Sequence, residues 1–427
     1  MKTKKYQLKD NRIILLLFFT CFFIYFSVYL GRLNYSAAMP AMLEASIFTK
    51  IQGGLISTLF FFTYGIGQLV GGFSGDKFSP QKLVFIGIFM AAITNISMGF
   101  LNNYIYMAIF WSINGFFQAF IWSAMVKCIL KYIDNNVTTK LCFYLSISGS
   151  VGTIIVYILT ASILSQKSWQ YVFIIIGIIL LVVSIIWIIV YKIVDKNAKN
   201  KGIEYIVEDS KEDNIKHNIK DTKNEKFNWF NIIISSGIIF LLFCLVVQGT
   251  LKNGITSWVP VYVYETYNIG DDMSALSTVI IPIFNIFGVY FASLANKVFK
   301  DEIKSSALFF LLCAISLFIL YTFSGKNIVI SLLMLAISTT AMTAVNTLLL
   351  VVLPINFEKI NKSASIYGIL NSSVYVGTTI STYGIGTLSD DIGWTKTIMV
   401  LIILAIISLI VCMSIIKKWQ DYKLKNL

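Results

Sequence analysis

Residues 12–36 read RIILLLFFTCFFIYFSVYLGRLNYS. From Ile13 to Gly31 the run carries no charge, and at about 1.5 Å per helical residue it nearly covers a hydrocarbon core about 30 Å thick. The exception inside it is Arg32. The chain has only two arginines, and the other, Arg12, stands just before the run, where a cation is ordinary. A guanidinium within a lipid-spanning stretch costs at least about 2.5 kcal/mol on insertion scales and turns toward a partner or a watery cavity. Arg32 therefore reads as a permanently charged, forked donor for an anion, because guanidinium meets carboxylate or phosphate oxygens bidentately where lysine offers a point charge. A snorkelling arginine at the interface is the plainer alternative.

Composition extends that reading to the whole chain. Of 427 residues, 57% are hydrophobic and 13% charged, and apolar stretches of about twenty residues recur, which is the pattern of an all-α polytopic membrane protein. The six cysteines, Cys21, Cys128, Cys142, Cys244, Cys313 and Cys412, are scattered singly with no CxxC or Cys–His spacing, so neither a disulfide framework nor a metal site is expected. No nucleophile–base pair or nucleotide loop is visible, so an enzyme and a cofactor are not expected either. The net charge of +13 is a topological signal and does not point to nucleic acid.

Lysines gather at the N-terminus (Lys2 to Arg12), at Lys77 and Lys82, Lys131 and Lys140, Lys192 to Lys226, Lys297 to Lys304, Lys359 and Lys362, and Lys417 to Lys425, whereas the loops at 262–272 and 389–393 carry none. The positive-inside rule places those clusters and both termini in the cytoplasm, with the chain crossing the plasma membrane many times. Twelve spans are expected, near 12–36, 52–75, 82–101, 104–130, 139–163, 169–192, 230–262, 272–296, 305–323, 327–353, 363–388 and 395–416. The stretch 194–229 is charged and lacks apolar periodicity, so it reads as a cytoplasmic linker between an N-terminal six-helix bundle (1–193) and a C-terminal one (230–427). His217, the single histidine, falls in that linker and is not expected to relay protons. Two bundles of six joined by a polar linker suit a secondary transporter built on pseudo-repeats, with substrate held between the halves.

The loop after the second span reads Gly71-Gly72-Phe73-Ser74-Gly75-Asp76-Lys77, and the expected loop after the eighth reads Ser293-Leu294-Ala295-Asn296-Lys297 without the aspartate. In this setting the first resembles the loop signature of the major facilitator superfamily. Tyr25, Tyr29, Gly31-Arg32-Leu33-Asn34-Tyr35 and Ala37-Ala38-Met39-Pro40, then Gly115-Phe116-Phe117-Gln118-Ala119 with Trp122, and Leu251-Lys252-Asn253-Gly254 with Trp258 and Pro260, resemble the first, fourth and seventh spans of its organophosphate:phosphate antiporters. The resemblance implies the major facilitator fold, with Arg32 on the first substrate arginine and Lys252 on the second. It also implies that Tyr25, Tyr29 and Tyr375 line the cavity, while Gln68 and Gly149 stand where glycerol-phosphate carriers place a lysine and a histidine.

Without the family, Arg32 and Lys252 still lie in the first spans of the two halves, where two cations could grip one anion from opposite sides. Gln118 is a further candidate ligand through its amide. Asp76 and Lys77, with Lys127 as the partner for Asp76, form the expected conformational latch. No carboxylate or histidine is expected at the membrane midplane, which favours exchange of anions over proton coupling. The expected function is uptake of an organophosphate in exchange for inorganic phosphate; the alternatives are a carboxylate symporter and a transporter-like sensor. The expected partners are a small anion, a counter-anion and the lipid bilayer, with the chain a monomer and no nucleic acid bound.

Overall fold

The computed structural model describes residues 2–74, 79–133, 135–201, 203–208, 235–357 and 363–426. Helices dominate because a chain in hydrocarbon must satisfy its backbone polar groups internally. In order they are α1 (Asn11–Glu44), α2 (Lys50–Ser74), α3 (Pro80–Met98), α4 (Tyr104–Gln118), α5 (Ile121–Tyr132), α6 (Asn135–Leu164) and α7 (Gln170–Lys201). After the segment 209–234 come α8 (Ile238–Gly249), α9 (Ile255–Tyr267), α10 (Asp271–Ser277), α11 (Ile280–Phe299), α12 (Glu302–Phe323), α13 (Ile328–Asn346), α14 (Leu353–Ile355), α15 (Ser363–Asp391) and α16 (Gly393–Asn426). Pairs that follow end to end, such as α4 with α5 and α8 with α9, make single rods, so among the described residues the helices form twelve rods in the expected places. Among the described residues, ten helical segments are long and apolar enough to cross a membrane.

Each set of six rods packs mainly within itself: α1 against α6 and α7, α2 against α4, α12 against α13 and α16, α8 against α15. Between the sets, α2 lies along α15, α1 along α9, and α6 along α10. Close approach is made possible by glycine. A Cβ on Gly377 of α15 would run into the Val246 carbonyl of α8, and one on Gly249 of α8 into the Val374 carbonyl of α15.

Four rods are wound irregularly, the eighth by a break between Ser277 and Ile280. The fourth breaks between Gln118 and Ile121, and the seventh and tenth contain wide π-type turns at Thr250–Gly254 and Thr347–Val352. Such interruptions concentrate where side chains must be re-aimed.

Two expectations need correction. Ser293 to Lys297 is not a loop: α11 runs on to Phe299 and ends on Lys300 in a left-handed conformation (φ 53°), after which Asp301 caps α12 by accepting from Ile303 and Lys304 N–H groups. The linker is also shorter than 194–229. Helix α7 persists to Lys201, aided by the Asp195–Lys199 pair at 2.6 Å, and β2 (Ile203–Glu208) then pairs antiparallel with β1 (Lys2–Gln7) as a two-stranded ribbon outside the helical bundle. The alternation in IEYIVE was the signal for a strand there. His217, Asp76 and Lys77 lie outside the described residues.

Candidate functional site

The site is built on the carbonyl of Gly31. It accepts from three side-chain amides at once, Asn95 Nδ2 at 3.2 Å, Asn114 Nδ2 at 3.0 Å and Gln118 Nε2 at 3.1 Å. Asn34 closes the group by donating to Asn95 Oδ1 at 2.7 Å while its own Oδ1 accepts from the Tyr35 backbone N–H. These four amides are buried, and together they pin α1 to α3 and α4 one residue before Arg32. Gly31 is needed for the approach, since a Cβ would come within 2.6 Å of Leu180 Cδ1. A buried polar network that is well satisfied rigidifies its surroundings.

Gln118 turns that clamp on the arginine. Its Oε1 accepts from Arg32 Nε at 3.3 Å, and its Nε2 also donates to Asn114 Oδ1 at 2.9 Å. With 1% of its surface exposed and both ends of its amide engaged, Gln118 stands behind Arg32 as a positioning residue.

The guanidinium sits over two tyrosine faces, with Cζ 4.4 Å from the Tyr64 ring centre and 5.2 Å from that of Tyr29. Aromatic faces stabilise a partly desolvated cation without neutralising it. Only Nε is committed: among the described residues no protein acceptor engages the two terminal nitrogens, which form the fork that fits an oxyanion. Tyr25 packs edge-on to Tyr29 (5.3 Å) and against Trp122 (4.6 Å), and Tyr375 packs on Tyr64 at 5.4 Å. Tyr25, Tyr29, Arg32 and Tyr375 are thus brought together. Tyr64 and the α3 and α4 amides Asn95 and Asn114 were missed. The spacing of Tyr64 and Gln68, one turn apart on α2, was the available signal.

Gly149, which the resemblance implies stands where glycerol-phosphate carriers place a histidine, packs on Tyr29. A Cβ there would meet the Tyr29 ring at 2.7 Å, so the space that an imidazole needs is filled by a tyrosine already leaning on Arg32.

Lys252 sits in the wide turn between α8 and α9, half-buried, and no hydrogen bond or ion pair to another described side chain engages its ammonium. Its depth follows from one contact. Ser36 Oγ donates to the Ser257 carbonyl at 2.5 Å, joining α1 to α9. Arg32 is four residues before Ser36 and Lys252 five before Ser257, so both lie about 6 to 7.5 Å from that contact, on the same side of it. The two cations therefore share a level in the molecule. Asn253 beside Lys252 donates to Thr378 Oγ1 at 2.9 Å and is held to its own half. Lys127 is half-buried on α5, and its expected latch partner lies outside the described residues.

Across the halves, α2 and α15 close like a zip. Lys50 meets Glu265 at 3.2 Å and Asp390 at 3.5 Å, Thr58 donates to the Thr379 carbonyl at 3.0 Å and is 2.9 Å from Thr382 Oγ1, and Gln68 reaches Tyr375 and Asn371. Glu265 also accepts from Trp394 Nε1 at 2.7 Å. Lys50 was not singled out in the sequence, because its partners lie more than 200 positions away.

The Major Facilitator Superfamily model matches residues 21–382. Among solved structures, a bacterial homologue of the human lysosomal transporter Spinster in an inward-facing, unoccupied conformation superposes with a TM-score of 0.76 at 11% identity, covering 96% of this chain and 98% of that one. A D-xylose-proton symporter superposes with a TM-score of 0.72 at 14% identity, covering 98% and 99%. Both similarities speak for the fold. A probable hexose phosphate transport protein of Chlamydia muridarum is 22% identical over 67% of this chain and 65% of its own length, and a glycerol-3-phosphate transporter of Bacillus subtilis is 24% identical over 60% and 58%. A membrane sensor protein, UhpC, of Escherichia coli is 23% identical over 59% and 57%. The matched region thus spans a little under two thirds of these relatives. The chain belongs to the Major Facilitator Superfamily: it is a multi-pass membrane protein, similar within that family to the organophosphate:phosphate antiporter type.

Proposed function

We propose that this transporter takes up an organophosphate, a sugar phosphate foremost, in exchange for inorganic phosphate, by alternating access at the plasma membrane with both termini in the cytoplasm. The observation that carries the reading is the Arg32 fork: Nε tied back to Gln118, the plane cushioned by Tyr29 and Tyr64, and the terminal nitrogens left for an oxyanion. Lys252 supplies a second cation at the same depth from the other half. A bound phosphate dianion would offset the repulsion between them and let the halves rock past one another. The contacts from Lys50 to Thr58 hold the end opposite the termini shut, so substrate would leave toward the cytoplasm from this form.

The positions of the acids support exchange. The described carboxylates near the spans, Glu44, Asp195, Glu265, Asp271, Asp272, Asp301, Glu302, Asp390 and Asp391, fall at or within about two turns of helix ends. That leaves none beside the cations to serve as an obligatory proton site. The printed names of the relatives point to phosphorylated sugars or glycerol.

The test is reconstitution of the purified protein into liposomes loaded with inorganic phosphate. Labelled phosphate and glucose 6-phosphate should both enter in exchange. Absence of flux for both would sink the proposal and turn attention to the sensor-like reading that similarity to UhpC brings.

A further inference from the structure

We infer that Arg12 and the groove between α1 and α6 form a binding site for one anionic phospholipid, drawn from the leaflet at the end of the helices where α1 begins. Its headgroup phosphate would lie on the Arg12 guanidinium and one acyl chain along the groove. The groove begins where α1 and α6 part. They meet closely at two glycines of α6: a Cβ on Gly152 would stand 2.6 Å from the Phe26 carbonyl, and one on Gly149 2.7 Å from the Tyr29 ring. Before those contacts in the chain direction, a groove of about 480 Å³ separates the two helices.

Its walls suit a hydrocarbon chain. Leu15, Phe19 and Phe23 are exposed along one face of α1, at i, i+4 and i+8, and Leu141, Tyr144 and Ile147 stand opposite on α6. Phe18 and Phe22 complete the α1 wall with ring centres 6.3 Å apart, Phe18 packing 5.4 Å from Phe19 and Phe22 6.1 Å from Phe23. Such ring pairs fix the shape of the wall. The volume is that of a small-molecule pocket, larger than a gap between two packed side chains.

Length and charge then name the lipid. Arg12 and Phe23 are eleven residues apart, about 16 Å along the helix, close to half of a hydrocarbon core about 30 Å thick. The groove thus spans one leaflet, from the interface to the midplane. Arg12 marks its interfacial end: it is exposed and lies three, seven and eleven residues before Leu15, Phe19 and Phe23, on their face of α1. The neighbouring carboxylate of Asp10 is turned onto the helix end, where its Oδ1 accepts from the Arg12 backbone N–H at 2.9 Å. Among the described residues no side-chain acceptor engages the guanidinium. In a chain that otherwise takes its positive charge from lysine, the forked donor that fits phosphate oxygens bidentately stands at the head of an acyl-length groove. Basic groups at the mouth of a cleft between membrane helices are a known way to hold an anionic headgroup. The bound chain would prop α1 against α6 on the helix that carries Arg32.

The experiment reconstitutes the full chain into phosphatidylcholine liposomes holding a trace of phosphatidylglycerol with a photoactivatable diazirine in its acyl chain, and maps the cross-links by mass spectrometry. Label should concentrate in residues 15–23 and 141–147, and the same label carried on phosphatidylcholine should mark them about fivefold less. Arg12→Gln should lower the phosphatidylglycerol yield there about fivefold, and Ile147→Trp, which fills the groove, should lower it while other lipid-facing segments keep theirs. Label spread evenly over the lipid-facing helices, equal yields from the two lipids, or an Arg12→Gln yield equal to that of the wild type would each overturn the inference and leave an arginine in contact with bulk lipid. Absence of label from both segments, as when a second copy of the chain covers the groove, overturns it too. The wild-type comparison of the two lipids stands even if both variants fail to fold.

Discussion

At the residue scale, the central quantity is the geometry of one guanidinium. Arg32→Lys keeps the charge but loses the planar fork, the Nε bond to Gln118 and much of the stacking on Tyr29 and Tyr64. Hydrogen bonds to a charged group contribute about 1.5 to 3 kcal/mol, so transport should fall by roughly 10- to 100-fold or more while the protein still inserts and folds. Uptake into liposomes, normalised to folded protein, measures this; near-normal uptake would remove Arg32 from the site. Lys252 makes the complementary case. If it grips the anion, Lys252→Arg should retain clearly more activity than Lys252→Gln, and equal activity of the two variants would mark an interfacial lysine.

At the element scale, the seam between α2 and α15 determines which end of the carrier is closed. Lys50, on the first turn of α2, is held by Glu265 of α9 and Asp390 of α15, with side chains 16%, 28% and 41% exposed. Because part of this network is wet, its contribution to closure is set at about 1 kcal/mol. Lys50→Gln should therefore shift the ratio of the two end-closed states about fivefold toward the form open at the far end. A cysteine in place of the buried Ser389, whose carbonyl accepts from Lys50 at 3.5 Å, probed with an impermeant thiol reagent from that side would report the shift as faster labelling. Unchanged labelling would mean that Thr58 and the glycine contacts hold the seam alone. The opposite end has its own fixed struts within each half. Glu302 accepts from Asn356 at 2.9 Å and from Lys423 at 3.0 Å, while Tyr132 donates to Asp195 at 2.6 Å. These keep each bundle rigid while the seam opens.

For the whole molecule, the prediction concerns coupling. With two cations at one depth and the described acids at helix ends, uptake should require an anion inside the vesicle and should persist when an uncoupler collapses the proton gradient. Replacing the substrate phosphate by a neutral group should weaken binding far more than removing any one hydroxyl. Accumulation in anion-free vesicles driven by an imposed inward proton gradient would refute exchange and favour symport.

The helical class and the number and rough limits of the twelve rods were legible in the sequence, because each depends on a local property: a run of apolar side chains long enough for the bilayer, with polar residues at its ends. Arg32 could be singled out for the same reason, since its cost is paid within its own helix. What a residue touches is set by distant parts of the chain, and there the sequence fell short. That Gln118 holds Arg32 showed only when α4 was laid beside Gly31, and Tyr64 entered the site only when its ring was brought over Arg32. Lys50 found its partners 215 and 340 residues away, and Cys244 and Cys412, apparently scattered, stand 3.6 Å apart as free thiols. Local composition decided that these segments would be helices in a membrane; only the packing of one helix against another decided which side chains would face the same anion.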